Sequence, residues 1–293
     1  MNAESNMKRT AWACLPDRPA GPRPTVTRWL RGIAASLMAC VAMAAAPVQA
    51  GQSCEPYRPG LHELRKTFNL AERTARWLDQ SGADVAIIAR AGQDLRAYGL
   101  NFSHVAYVYR LNADHTEAGV WRVVHMLNRC GSAHSDLYRQ GLAEFFNDQP
   151  FRWQAAIVVP RPEVQARLLP LMSNEHRLPA LHDPDYSMVA YPWAQTYQQS
   201  NAWVLETFAM AMEPGVHDRR IAQAWLLMHD YRPGTLRIGA AKRFGAALSR
   251  ANVSFDDHPS RELQRNRVET VTADSLLGWL HAGGFGAPAV LIE

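Results

Sequence analysis

The chain has 293 residues, 47% of them hydrophobic and 20% charged, with a formal net charge of +4. The excess is local: residues 1–50 hold six of the 31 basic residues and two of the 27 acidic ones, which leaves 25 of each over residues 51–293. That balance leaves no net electrostatic footprint for DNA, RNA or an anionic membrane, and the length after residue 50 suits one well-buried domain.

In chain order the first signal is residues 28–50, RWLRGIAASLMACVAMAAAPVQA. Arg28 and Arg31 lead a charge-free run of 17 residues from Gly32 to Val48, and Val48-Gln49-Ala50 closes it with small residues. This is the layout of a secretory signal peptide cleaved after Ala50. The run falls short of the roughly 18–20 residues that span a bilayer, so no stable membrane span is expected after cleavage. The expected location is periplasmic or secreted. Cys14 and Cys40 leave with the leader, while Cys54 and Cys130 stay. An even pair in an oxidising compartment reads as a disulfide. It would close a loop of about 77 residues, for which chain entropy gives roughly 4 kcal/mol. The competing reading is a catalytic thiol at one of the two.

Leu70, Ala71, Ala75 and Leu78, with charges between them and Gly82 behind, predict an amphipathic helix over 68–80. Val85–Ala89 predicts a short buried strand. Residues 104–111 and 119–126, rich in valine and aromatics and joined by a polar link, predict a β-hairpin near the middle of a sheet. Asp136–Asn147 has helical composition despite Gly141, and Ala155–Val159 is another strand, ended by Pro160. A helix is expected over 163–172 with Pro162 at its first turn. After a proline-marked loop over 182–195 comes a helix over 197–212, apolar on almost every face in its second half and hence enclosed. Helices over 219–231, 240–249 and 273–281 and a strand over 267–272 complete a single α+β domain over residues 51–293.

No phosphate loop, dinucleotide-binding glycine triplet, HExxH helix or Gly-x-Ser-x-Gly elbow is present in the sequence, so no cofactor or metal is expected. His176, His182, His217, His229 and His258 fall short of a metal-ligand pattern and read as solvated or capping groups. His104 and His125 stand apart. If the hairpin turns at Asp114-His115, directly opposed residues have numbers summing to 229, as 104 and 125 do. The two imidazoles would then share a face, one taking a proton and the other orienting it. The competing reading is two polar strand-end residues near solvent. Glu206, in the apolar helix, is either a buried carboxylate with a role or a surface salt-bridge partner.

The string Asn101-Phe-Ser-His-Val-Ala-Tyr-Val-Tyr109 resembles the histidine strand of circularly permuted NlpC/P60-like hydrolases, whose nucleophilic cysteine opens a later buried helix. The helix led by Gln199-Ser200-Asn201 falls where that helix would be. The resemblance implies a papain-like fold, in which an antiparallel sheet packs on a buried helix, and an amide- or ester-cleaving activity. No cysteine follows Cys130, so Ser200 is the candidate nucleophile, with His104 as base and His125 as orienter. Asn201 in that role would be inert. The segments VVHMLNRC, SDLYRQGLAEFF, AAIVVPRP and SNAWVLE also resemble a bacterial exported domain of unknown function, the 2145 type, from about residue 54 to residue 212, most of the mature domain. Two functions are therefore expected as alternatives. One is a cell-envelope hydrolase; the other is a non-catalytic domain that holds an envelope ligand or partner in a retired active site.

Overall fold

The computed structural model describes residues 57–111 and 119–293. Residues 28–50, Cys54 and the hairpin link lie outside them. β1 (Val85–Arg90), β2 (His104–Leu111), β3 (Val120–Asn128), β4 (Ser135–Gly141) and β5 (Ala155–Val158) are the strands of the first half. β6 (Gly234–Arg237) and β7 (Arg267–Thr270) pair with each other in a separate two-stranded sheet, and β8 is Val290–Ile292. The main sheet is antiparallel and six-stranded, in the order β4-β3-β2-β1-β5-β8. Every residue of β1 is buried, because the sheet is covered on both faces.

Alternation along the strands sorts the core into two layers. Ile87, Val105, Tyr107, Val124 and Met126 share one cluster with α3 (Pro162–Met172), α4 (Ser200–Met212), α5 (Arg219–Met228) and α8 (Ala273–Ala282). Ile88, Ala106, Val108, Val123 and Ile157 point the other way, onto α1 (Leu61–Ser81) and the short α2 (Leu142–Phe146). The helix expected over 68–80 begins earlier, at Leu61, and ends as expected at Gly82, whose φ of 68° is the left-handed cap glycine tolerates. α4 is buried at every position from Ser200 to Met210, which is why its sequence lacks a polar face. Two more helices, α6 (Ala240–Ser249) and α7 (Ser260–Gln264), accompany the two-stranded sheet. No helix among the described residues is long and apolar enough to cross a membrane.

Two expectations are corrected. Residues 135–141 are a strand, not the first half of a helix: they hydrogen-bond along β3 from Asn128↔Ser135 to Arg122↔Gly141, and Gly141 caps a helix of five residues. Pairing with a neighbouring strand outweighs local propensity here. The hairpin register also differs. Tyr107 lies opposite Val124 and Val108 opposite Val123, so partners sum to 231 rather than 229. The slip is two residues, and a slip of two preserves the face each side chain points to.

Candidate active site

Because the slip is even, His104 and His125 still share a face, as diagonal neighbours rather than direct partners. Their rings close the distance: His104 Nε2 and His125 Nδ1 are 2.8 Å apart, with ring planes at 69°. Both are buried and pack on Phe145 of α2. His125 Nε2 is in turn 2.8 Å from Gln140 Oε1, and Gln140 donates from its amide nitrogen to Glu144 at 3.2 Å.

Hydrogen-bond bookkeeping fixes the protons. Gln140 spends its N–H on Glu144, so its carbonyl accepts from His125 Nε2–H. His125 Nδ1 must then accept, and His104 Nε2–H donates to it. The remaining nitrogen, His104 Nδ1, carries a lone pair. Burial holds both rings neutral: it pushes His104 well below the ordinary histidine range, helped by the nearby Arg90 charge and by His125, and it brings His125 down to about 3, with Arg90 adding to the effect.

Arg90 sits directly across from His104 on β1. Its guanidinium lies 4.9 Å from the Phe145 ring centre and bonds the Phe145 carbonyl and Asp148. Its Nε–H has no partner among the described residues.

Arg90 and His104 border a cavity of about 380 Å³ that also reaches Ser200 and Asn201. It opens around the ends of β1 and β2, and so collects side chains from both faces of the sheet. The histidine pair lies on the α2 face and α4 on the other; Ser200 and His104 both line the cavity at this end. Burial pushes the Tyr186 phenol up, and the neighbouring Ser200 side chain opposes that shift. Asn201 is structural: its Oδ1 accepts from Val105 N at 2.9 Å and its Nδ2 donates to the Val271 carbonyl at 3.1 Å, pinning the helix start to β2. Gln199, the residue before α4, caps none of its first-turn N–H groups with its side chain.

Glu206 anchors the approach to this helix. It is 2% exposed and accepts from Gln198 (2.6 Å), Gln223 (2.8 Å) and Arg219 (3.0 Å). Arg219 also bonds Asp183 and the carbonyls of Gln195 and Tyr197. This is a buried network holding the 183–199 loop, not the surface salt bridge weighed from sequence. Burial raises the Glu206 carboxyl, and Arg219, Gln223 and Gln198 pull against that. His258 is corrected likewise: it is buried and paired with Asp257 at 2.8 Å. Cys130 lies in an exposed turn after β3. Arg90, Gln140 and Tyr186 were missed from sequence. Strand alternation from His104 and His125 could have flagged Arg90, but only the register reveals Gln140.

Residues 77–280 match the sequence profile of a bacterial family described as "Uncharacterized protein conserved in bacteria (DUF2145)". The chain belongs to this family. The DUF2145 match contains the whole constellation, from Arg90 through His104, His125 and Gln140 to Ser200 and Glu206. No curated protein matches the chain, and no solved structure does.

Proposed function

We propose that this DUF2145 protein is an exported cell-envelope hydrolase of papain-like, NlpC/P60-like fold that cleaves an amide or ester bond, with Ser200 as nucleophile, His104 as base and His125 as orienter. The observation that carries the reading is the 2.8 Å contact between His104 Nε2 and His125 Nδ1, which leaves His104 Nδ1 as a lone pair beside a cavity that Ser200 also lines. Nucleophilic acyl transfer requires a neutral, oriented imidazole that can reach a hydroxyl, and His104 and Ser200 share the cavity in which that contact would form.

In this mechanism the Ser200 hydroxyl turns toward His104 Nδ1 across the cavity that both residues line. Its oxygen attacks the substrate carbonyl carbon while its proton passes to His104 Nδ1. The imidazolium shares its Nε2 proton with His125, whose own proton is held toward Gln140. First-turn N–H groups of α4 are the donors available to the oxyanion. His104 then gives its proton to the leaving amine or alcohol, and water repeats the sequence to release the acid and regenerate Ser200.

Treating the full-length protein with a fluorophosphonate is expected to label Ser200, and p-nitrophenyl esters are expected to be hydrolysed. Ser200→Ala and His104→Ala should each lower turnover by at least about a thousandfold. A folded protein that is neither labelled nor active overturns the reading. The second reading, a binding domain with a retired site, is favoured by the layering: Ser200 opens a helix packed on one face of the sheet, while the histidine pair packs on Phe145 on the other. It requires Ser200→Ala to leave the protein's function intact.

Export and the disulfide belong to the same proposal. The product is expected in the periplasmic or secreted fraction with Gly51 at its N-terminus; a cytoplasmic product retaining Arg28–Ala50 overturns this. Cys54 and Cys130 are the two cysteines that survive cleavage at Ala50, an even pair in an oxidising compartment. Mapping without reductant is expected to recover the Cys54–Cys130 peptide pair, and two free thiols in the exported protein argue against it.

A further inference from the structure

Helix α6 has two working faces. Lys242 and Ala246, spaced by four, line the cavity together with Arg250, the residue just past the helix end. Phe244 and Leu248, also spaced by four, are 68% and 58% exposed. Ten residues long, the helix has no buried residue, so it covers the cavity without being part of the core. The cavity wall beneath it is apolar: Leu100, Met188, Leu236, Ile238 and Val253 contribute to it.

Charge within the cavity is one-sided. Asp148 is the carboxylate among the described lining residues, and Arg90 engages it. That leaves Lys242, with its ammonium 4.8 Å from the Tyr98 ring centre, and Arg250 without a countercharge in the lining. The neighbourhood repeats the bias. Residues 231–255 hold five basic side chains (Arg232, Arg237, Lys242, Arg243 and Arg250) and no acid. The neutral balance of residues 51–293 conceals this cluster.

We infer that the cavity takes an anionic amphiphile, an apolar chain joined to a phosphate or carboxylate head, and that α6 docks on an anionic bilayer to collect it. The apolar wall accepts the chain and Lys242 and Arg250 hold the head, while Phe244 and Leu248 enter the interface among flanking cations, as an amphipathic surface helix does. The link from binding to cleavage rests on the hydrolase reading above, and it makes the substrate an acyl ester or amide of an anionic lipid. Water divides the bond into a fatty acid and an alcohol or amine.

The probe is dodecyl phosphate below its micelle concentration, titrated into the full-length chain, with inorganic phosphate and dodecanol as separate arms. Dodecyl phosphate is expected to bind at least about tenfold more tightly than either, and Lys242→Glu with Arg250→Glu to weaken it by at least about tenfold. Phe244→Ser with Leu248→Ser is expected to lower co-sedimentation with phosphatidylglycerol vesicles, relative to phosphatidylcholine vesicles, by about fivefold or more, while dodecyl phosphate binding stays at the parent value. All four positions are outside the core, so circular dichroism should match the parent. Equal affinity for inorganic phosphate, or no response to the charge reversals, overturns the cavity assignment; unchanged vesicle binding in the serine double variant overturns the docking face. If the parent protein binds dodecyl phosphate while it cleaves no ester, the hydrolase reading falls and the amphiphile site stands; if soluble esters are cleaved without dodecyl phosphate binding, the reverse holds.

Discussion

The molecule buries two imidazole constellations, and they differ at one nitrogen. Beside the two-stranded sheet, His258 Nδ1 lies 2.8 Å from Asp257 Oδ1 and Nε2 lies 3.0 Å from the Glu269 carbonyl. Each ring nitrogen thus faces a protein acceptor; Asp257 further accepts from the Tyr191 amide at 2.8 Å. In the main sheet, the chain from Glu144 through Gln140, His125 and His104 ends on a nitrogen that has a lone pair. The first constellation is closed and holds loops together. The second is open at its cavity end. A buried histidine becomes a candidate for chemistry when its hydrogen-bond chain stops short of saturation, and not through burial alone.

The hardest way to break the comparison is to open the closed member. Asp257→Ala removes the carboxylate that His258 Nδ1 and the Tyr191 amide both bond, stranding two buried groups, with an expected cost of about 3–5 kcal/mol in urea unfolding. A cost below about 1 kcal/mol would mean that Asp257 is not what holds His258 in place. Cutting the open chain in its middle should cost less. His125→Leu strands the His104 N–H and the Gln140 carbonyl, for about 1–3 kcal/mol, and it removes the orienter, so His104-dependent turnover should go with it. Turnover that persists in a folded His125→Leu protein separates His104 from the pair.

The smallest effect is the pH response. His104 and His125 are held neutral in the folded chain, His104 well below the usual range and His125 near 3. The unfolded chain takes up these protons first, near pH 6.5. Stability from the pair is therefore full above about pH 6.5 and declines as pH falls toward 3. The melting temperature should drop by about 5 °C more in the parent than in His125→Leu between pH 6.5 and 4. Parallel curves for the two proteins would assign the acid loss to other groups.

Much of this was legible from residue patterns. The helix stop at Gly82, the buried strand at Val85, the valine-rich hairpin and the enclosed helix before Glu213 all follow from periodicity and punctuation. The histidine pair survived an incorrect register because the error was even. Parity, unlike register, can be read from a strand without knowing its turn. The strand over 135–141 was not legible: SDLYRQG has weak strand composition, and its conformation is set by hydrogen bonds to β3 that only the tertiary fold supplies. β6 and β8, at four and three residues, are too short for a pattern to emerge. The role of Glu206 was hidden too, since its partners Gln198, Arg219 and Gln223 come from three separate segments.

α6 has a consequence for how this protein can change over evolutionary time. Substitutions at exposed sites usually shift stability by no more than about 0.5 kcal/mol, and no residue of α6 is buried. Its cavity-facing and outward-facing positions can therefore vary almost independently of folding, while Arg90, His104, His125 and Glu206 are tied into the core by their hydrogen bonds. Selection is free to retune which molecule is recognised along α6 without reopening the question of whether the chain folds. Within the family, diversity in ligand preference should accumulate on this helix, and the imidazole chain should be the part that stays still.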